Sequence, residues 1–200
     1  MNLKNINLII LLMLIFSGCS SVTSNSLIGL ENCNLNEKDW NGIWILEKED
    51  FVKIKIVDKE NGIVKAVSIN EKDNHFELSE IIFQIKKGKK WLYANILEEN
   101  GKKTNKEYFW CKIKNENGKI IYWLPSVQTF LEASEAKKIK AIVHKSAQAS
   151  TGDGEKALEG SKFVSVILED EPNAIIDLIE NANENYFEWE NPFILEKIVK

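Results

Sequence analysis

The sequence predicts a mainly β fold of the α+β class: an antiparallel meander forming a curled sheet, with two helices from the C-terminal half packed on it. Three observations lead there. From Trp40 to Leu124, short apolar runs alternate with turn residues every eight to twelve positions, the spacing of a strand meander. Three of the turns set Asn before Gly, at Asn61-Gly62, Asn100-Gly101 and Asn117-Gly118, the pair that best tolerates the two positive φ values of a type I′ hairpin. In Val52-Lys53-Ile54-Lys55-Ile56 apolar and charged residues alternate strictly, so one face is wet and the sheet is not covered on both sides.

Taken in order, Ser20 to Asn36 is rich in Ser, Asn and Thr with scattered Leu, and residues 19–39 read as a tether. Strands follow at about 42 to 48, 51 to 58, 63 to 70, 75 to 86, 90 to 98, 106 to 115 and 119 to 124, with a further turn at Lys87-Gly88-Lys89. Phe76 and Leu78 share one parity, and Ile81, Phe83 and Ile85 the other; a bulge near Glu80 would reconcile them by bending the strand. Phe109, Cys111 and Ile113 lie on the face opposite Lys112 and Lys114, which points Cys111 inward. Pro125 halts the meander. Ser126 can then cap a helix whose Val127, Phe130, Leu131 and Ser134 keep helical spacing to about Lys138. A short strand at Ile139 to His144, a Gly-rich loop at Ser146 to Ser161 and a strand at Phe163 to Leu168 come next. Glu171-Pro172 opens a second helix with Ile175, Leu178, Ile179 and Ala182 on one face, and the chain closes on a strand from Phe193 to Val199. Residues 40–200 are expected to form a single domain.

Composition narrows the function. The formal net charge is −4 and all 26 basic residues are Lys, so no basic footprint for nucleic acid is present and no bidentate guanidinium clamp can be built. At the N-terminus, Lys4, an apolar run from Ile6 to Phe16 and then Ser17-Gly18-Cys19 make a signal-peptide layout too short to span a bilayer as a stable helix. Small residues just before a Cys, with apolar residues ahead of them, resemble the lipobox of bacterial lipoproteins. That resemblance implies a signal peptide at 1–18, lipidation of Cys19 and a membrane reached through this anchor; a plain secretory signal or an uncleaved anchor is the alternative. It also implies an outer-membrane address on the periplasmic face in a Gram-negative host, because Ser20 stands where an Asp would retain the protein at the inner membrane. In an oxidising compartment the two remaining cysteines, Cys33 and Cys111, are expected to form a disulfide, or else to be two separate buried thiols.

Gly42-Ile43-Trp44, at the start of the first long strand, resembles the Gly-x-Trp motif that opens lipocalin-type barrels. The resemblance implies a lipocalin-like barrel and gives Trp44 the part of the aromatic that closes one end. The family's late Arg stacked on that Trp has no counterpart, since this chain lacks Arg.

The chemical inventory is thin. His75 and His144 sit in no metal-ligand spacing, and Thr151-Gly-Asp-Gly-Glu155-Lys156 lacks the ending of a phosphate loop and the alternating ligands of a calcium loop. No catalytic residue, metal or cofactor is expected. Trp40, Trp44, Trp91, Trp110, Trp123 and Trp189 suit a packed core or the lining of a cavity. These residues point to a lipid-anchored binding module for an apolar small molecule or an envelope component, or to an interaction subunit of an envelope complex; an envelope hydrolase is the third reading.

Overall fold

The computed structural model describes residues 20–46, 50–72, 75–99, 101–103, 107–146, 163–182 and 185–198. Residues 1–19, which hold the expected signal peptide and Cys19, and residues 147–162, which hold most of the expected Gly-rich loop, lie outside them. The chain opens with β1 (Ser21–Ser24) and β2 (Glu31–Asn32), makes one helical turn, α1 (Glu37–Trp40), and continues into β3 (Gly42–Leu46), β4 (Asp50–Asp58), β5 (Ile63–Lys72), β6 (His75–Lys87) and β7 (Leu92–Glu99). After the two-residue β8 (Lys102–Lys103) come β9 (Tyr108–Glu116), β10 (Lys119–Trp123), α2 (Val127–Glu135), β11 (Ala141–Ser146), β12 (Phe163–Leu168), α3 (Pro172–Asn181) and β13 (Phe193–Lys197).

Eight of these strands close into an antiparallel barrel, in the ring order β3-β4-β5-β6-β7-β9-β10-β13, with β13 pairing back to β3. The meander supplies seven of them. The eighth comes from the far C-terminus, after a long excursion through both main helices. Inward positions are mostly apolar, with Trp44, Leu46, Val52, Ile54, Val64, Ile85, Ile113, Ile120 and Leu195 all buried in one cluster, and the cross-strand pair Ser68 and Ser79 buried at the same parity. The excursion forms a second layer: β1, held between β9 and β12, carries a three-stranded flange, and α2 and α3 pack over the outside of the barrel. Strands β7, β9 and β10 therefore bury both faces, Ala94 and Ile113 inward, Tyr93 and Trp110 outward.

The segment read as a tether is built into the fold. Ser21 to Ser24 are buried and pair in parallel with Ser165 to Leu168. Further on, the buried amide of Asn95 grips the backbone of Ile28, accepting from its N–H at 2.7 Å and donating to its carbonyl at 2.9 Å. Hydroxyls of this stretch also bond within the fold, Ser20 Oγ accepting from Val164 N–H and Thr23 Oγ1 donating to the Glu107 carboxylate.

Three other expectations are corrected. The bulge lies not in β6 but opposite it: the register shifts between Ile82 and Phe83 because Leu97 is the extra residue of β7, while β6 pairs with β5 without a break. Leu78 simply faces outward, 72% exposed. The first main helix ends at Glu135, because Lys137 adopts φ 55° and the N–H groups of Lys137 and Lys138 return to the carbonyls of Ser134 and Ala133, a Schellman stop. Cys33 and Cys111 are free thiols and form no disulfide. Cys33 bonds through its N–H to Ile85 of β6, whereas Cys111 pairs with Ala94 of β7, so β7 stands between Cys111 and the strand that holds Cys33. Burial raises both thiol pKa values, that of Cys111 to about 12, with Lys87 partly opposing the rise at Cys33.

Of the two Asn-Gly turns whose residues are both described, one has two positive φ values, at Asn117 (52°) and Gly118 (74°). At the turn after β4, Asp58 accepts from the N–H groups of Glu60 and Asn61, and Gly62 alone takes φ 69°. A Cβ on Gly62 would sit 2.4 Å from the Ile85 carbonyl oxygen, whereas one on Gly101, at φ 76°, would meet nothing within 4 Å. Both Ala variants carry the left-handed backbone cost of about 1 kcal/mol. Gly62→Ala is expected to lose clearly more than Gly101→Ala, read as urea midpoints at unchanged m-value; equal losses would mean the contact with Ile85 relaxes freely.

Candidate functional site

The barrel encloses a cavity of about 330 Å³. Its wall is made of inward side chains such as Val52, Ile54, Ile81, Phe83, Ile96 and Ile120, and the space exists because two inward positions are small, Ala66 on β5 and Ala94 on β7. Glu188 is the one charged residue on the lining among the described residues.

One end is closed. There α1 lies across the strand ends: Asn115 of β9 donates to the Asp39 carbonyl, Lys197 of β13 to the Lys38 carbonyl, and Asn41 accepts from Ile56 N–H of β4. Asn36 caps this turn by accepting from Lys38 N–H at 3.0 Å. Trp40 forms the floor of the cavity, and Trp44, fully buried, donates its indole N–H to the Trp40 carbonyl at 3.1 Å. Lys197 of β13 places Nζ 5.2 Å from the Trp44 ring centroid.

At the other end the start of β9 and the end of β10 meet the N-terminal segment, and Phe109, Leu124, Pro125, Ser20, Ser21 and Glu188 complete the lining. Ser20 and Glu188 are exposed, so the cavity reaches the surface here. Glu188 is held by its own N–H, which donates to the Leu124 carbonyl. Trp110 lies on the wall near this end with its indole N–H buried and without a hydrogen-bond partner. Such a lumen can strip water from an apolar molecule and hold it, and burial makes the Cys111 thiol on its wall a poor acid.

A second cluster lies on the outer face of the same wall. Lys112 is fully buried, its Nζ has no hydrogen-bond partner, and it rests 3.2 Å from the Trp91 ring centroid and 3.5 Å from that of Trp189, with Trp123 and Phe187 at 5.1 and 5.7 Å. Burial pushes its pKa down to about 7; the charge of Glu180 opposes that shift and Lys114 adds to it. The faces of the indole rings also favour the charged form. Glu180 of α3, itself buried, accepts from Tyr93 OH at 2.8 Å and Lys90 N–H at 2.6 Å. Gly88 makes that approach possible, since a Cβ there would lie 2.2 Å from the Glu180 carboxylate.

Of the residues singled out from sequence, Cys111 and Trp40 line the lumen, Trp44 and Cys33 pack in the barrel core, and Trp91, Trp123 and Trp189 surround Lys112. His144 stands exposed on β11, the outermost flange strand, apart from the lumen. Thr151 to Lys156 and Cys19 lie outside the described residues. No protein-family model, no curated protein and no solved structure matches this chain. The barrel by itself is compatible with binding a small apolar molecule.

Lys112 generates a pH prediction. Its folded-state pKa, about 7, lies below the ordinary 10.5, so between those values the unfolded chain binds a proton that the folded chain does not. Stability should therefore rise with pH across that window. Lys112→Met keeps the length of the side chain and removes the buried charge; it is expected to flatten the rise and to add on the order of 1 kcal/mol near pH 7. Urea midpoints at pH 7 and 9.5 check this; an unchanged slope in Lys112→Met would assign the pH dependence elsewhere.

Proposed function

We propose that this chain is a lipid-anchored cell-envelope protein whose barrel lumen binds a small apolar molecule without catalysis. The observation that supports the binding reading is the lumen itself: apolar walls, a closed floor at Trp40, a single open end, and a volume of about 330 Å³. That volume falls at the lower end of the roughly 300 to 1,000 Å³ typical of small-molecule sites. The anchor reading rests on the lipobox-like Ser17-Gly18-Cys19. An outer-membrane, periplasmic-facing address follows from Ser20 if the host is Gram-negative.

A specific observation also favours a second reading, an interaction subunit. Phe51, Ile69 and Leu78 are 58, 63 and 72% exposed on three adjacent strands. Ile69 pairs directly with Leu78, and the β4–β5 register sets Phe51 opposite Ile69. A contiguous apolar row of this kind marks a surface that something covers.

Both readings are testable. The unmodified chain from Ser20 onward is expected to enhance the fluorescence of the apolar probe N-phenylnaphthylamine, and Ala66→Phe, which fills the lumen, should abolish the enhancement. Binding that survives Ala66→Phe would place the probe outside the barrel and remove the support for lumen binding. For the second reading, cross-linking in intact cells should trap a protein at the Phe51 row, and Leu78→Asp should lose that product; a product unaffected by Leu78→Asp would leave the row without a partner.

A further inference from the structure

The lumen and the first described residues of the chain meet at one point. Ser20 and Ser21 both line the open end of the cavity, and Cys19 is one peptide bond ahead of them. No slack separates the two: Ser20 Oγ accepts from Val164 N–H at 3.1 Å, and Ser21 to Ser24 are buried between β12 and β9. A residue spans at most about 3.6 Å, so a group on Cys19 starts within one residue length of the cavity lining. The cavity is apolar and closed at Trp40, and a lumen of eight strands has room for one small ligand. Among the described residues its one charged lining residue, Glu188, sits at the mouth and not along the wall, which leaves the wall apolar.

We propose that an acyl chain carried on Cys19 folds back into the barrel lumen and is its resident occupant. This rests on the anchored, apolar-binding reading above and names the ligand class of that site. The lipid then serves two ends: chains left outside hold the membrane, and the chain inside fills the cavity until an external apolar molecule displaces it. The alternative source, an acyl chain of a bilayer lipid, gives a different outcome in the test.

The test uses the full lipid-modified chain, made in cells fed a diazirine-bearing palmitate so that the acyl groups on Cys19 are photoreactive, and reconstituted in phosphatidylethanolamine–phosphatidylglycerol vesicles. On irradiation, cross-links are expected from the modified Cys19 to peptides bearing Ala66, Ala94 or Ile113, and Ala66→Phe should divert them to vesicle lipid. The lipid-modified chain should also bind N-phenylnaphthylamine more weakly than the unmodified chain. Cross-links confined to vesicle lipid, together with equal probe binding by the two forms, would overturn the inference and leave the binding reading intact. Failure of the unmodified chain to bind the probe at all would instead remove the binding reading and this inference with it. Absence of label from Cys19 would remove the anchor reading and this inference with it, and leave the lumen-binding reading standing.

Discussion

Everything outside the barrel depends on one constraint, that β7, β9 and β10 are buried on both faces. An antiparallel sheet of this size commonly leaves one face in water. Here the inward side chains of these strands fill or line the lumen, while Tyr93, Trp110 and Trp123 face α2, α3 and the segment around Phe187. Edge-on ring contacts tie that second layer together, with Trp110 meeting both Phe130 and Phe187 at interplanar angles of 89°. Where that layer covers it, β9 has no wet side for polar residues, and only farther along do Lys114 and Glu116 pair in partial contact with water. Lys112 is what remains of the ordinary alternation, and the aromatic cage with Glu180 nearby is how its ammonium is accommodated under cover.

The same constraint separates what was legible in the sequence from what was not. The meander, the inward parity of Cys111 and the helices beginning at Ser126 and Pro172 follow from local patterning, and patterning is local physics. Two signals were present and carried more than their local meaning. Ala66 and Ala94 occupy inward positions where β-branched residues prevail, which is how a sheet leaves room for a cavity. Trp91, Tyr93, Trp110 and Trp123 gather on the outward side, which is how a sheet announces that its outer face is covered. The closing partner of β10, by contrast, lies some seventy residues downstream in β13, and no local rule ties the two together. β1 was hidden for another reason. Its Ser-Val-Thr-Ser composition reads as solvated linker, yet every one of the four residues is buried, because hydroxyl-bearing side chains are small enough to pass between two strands.

The expected disulfide fails on geometry. Both cysteines belong to the barrel core cluster, as the inward parity of Cys111 implied, but facing the same interior does not bring two strands together. Cys33 is tied to β6 and Cys111 to β9, and neighbouring strands in a sheet are about 4.8 Å apart. Each thiol therefore acts as a small apolar side chain, and burial holds both in the protonated form.

The parallel pairing of β1 with β12 has a bearing on the order in which the molecule can assemble. Ser20 and Val164, joined by a hydrogen bond, are 144 positions apart, among the longest closures in the chain. Hairpins of the meander form between neighbours and need no such search, so contact order places them early and the flange late. A chain that emerges N-terminus first thus carries its opening strand unpaired on the β12 side until residue 168 has been made. During that interval the β12 side of Ser21–Ser24 is open to other partners, and after it the same four residues are locked into a sheet.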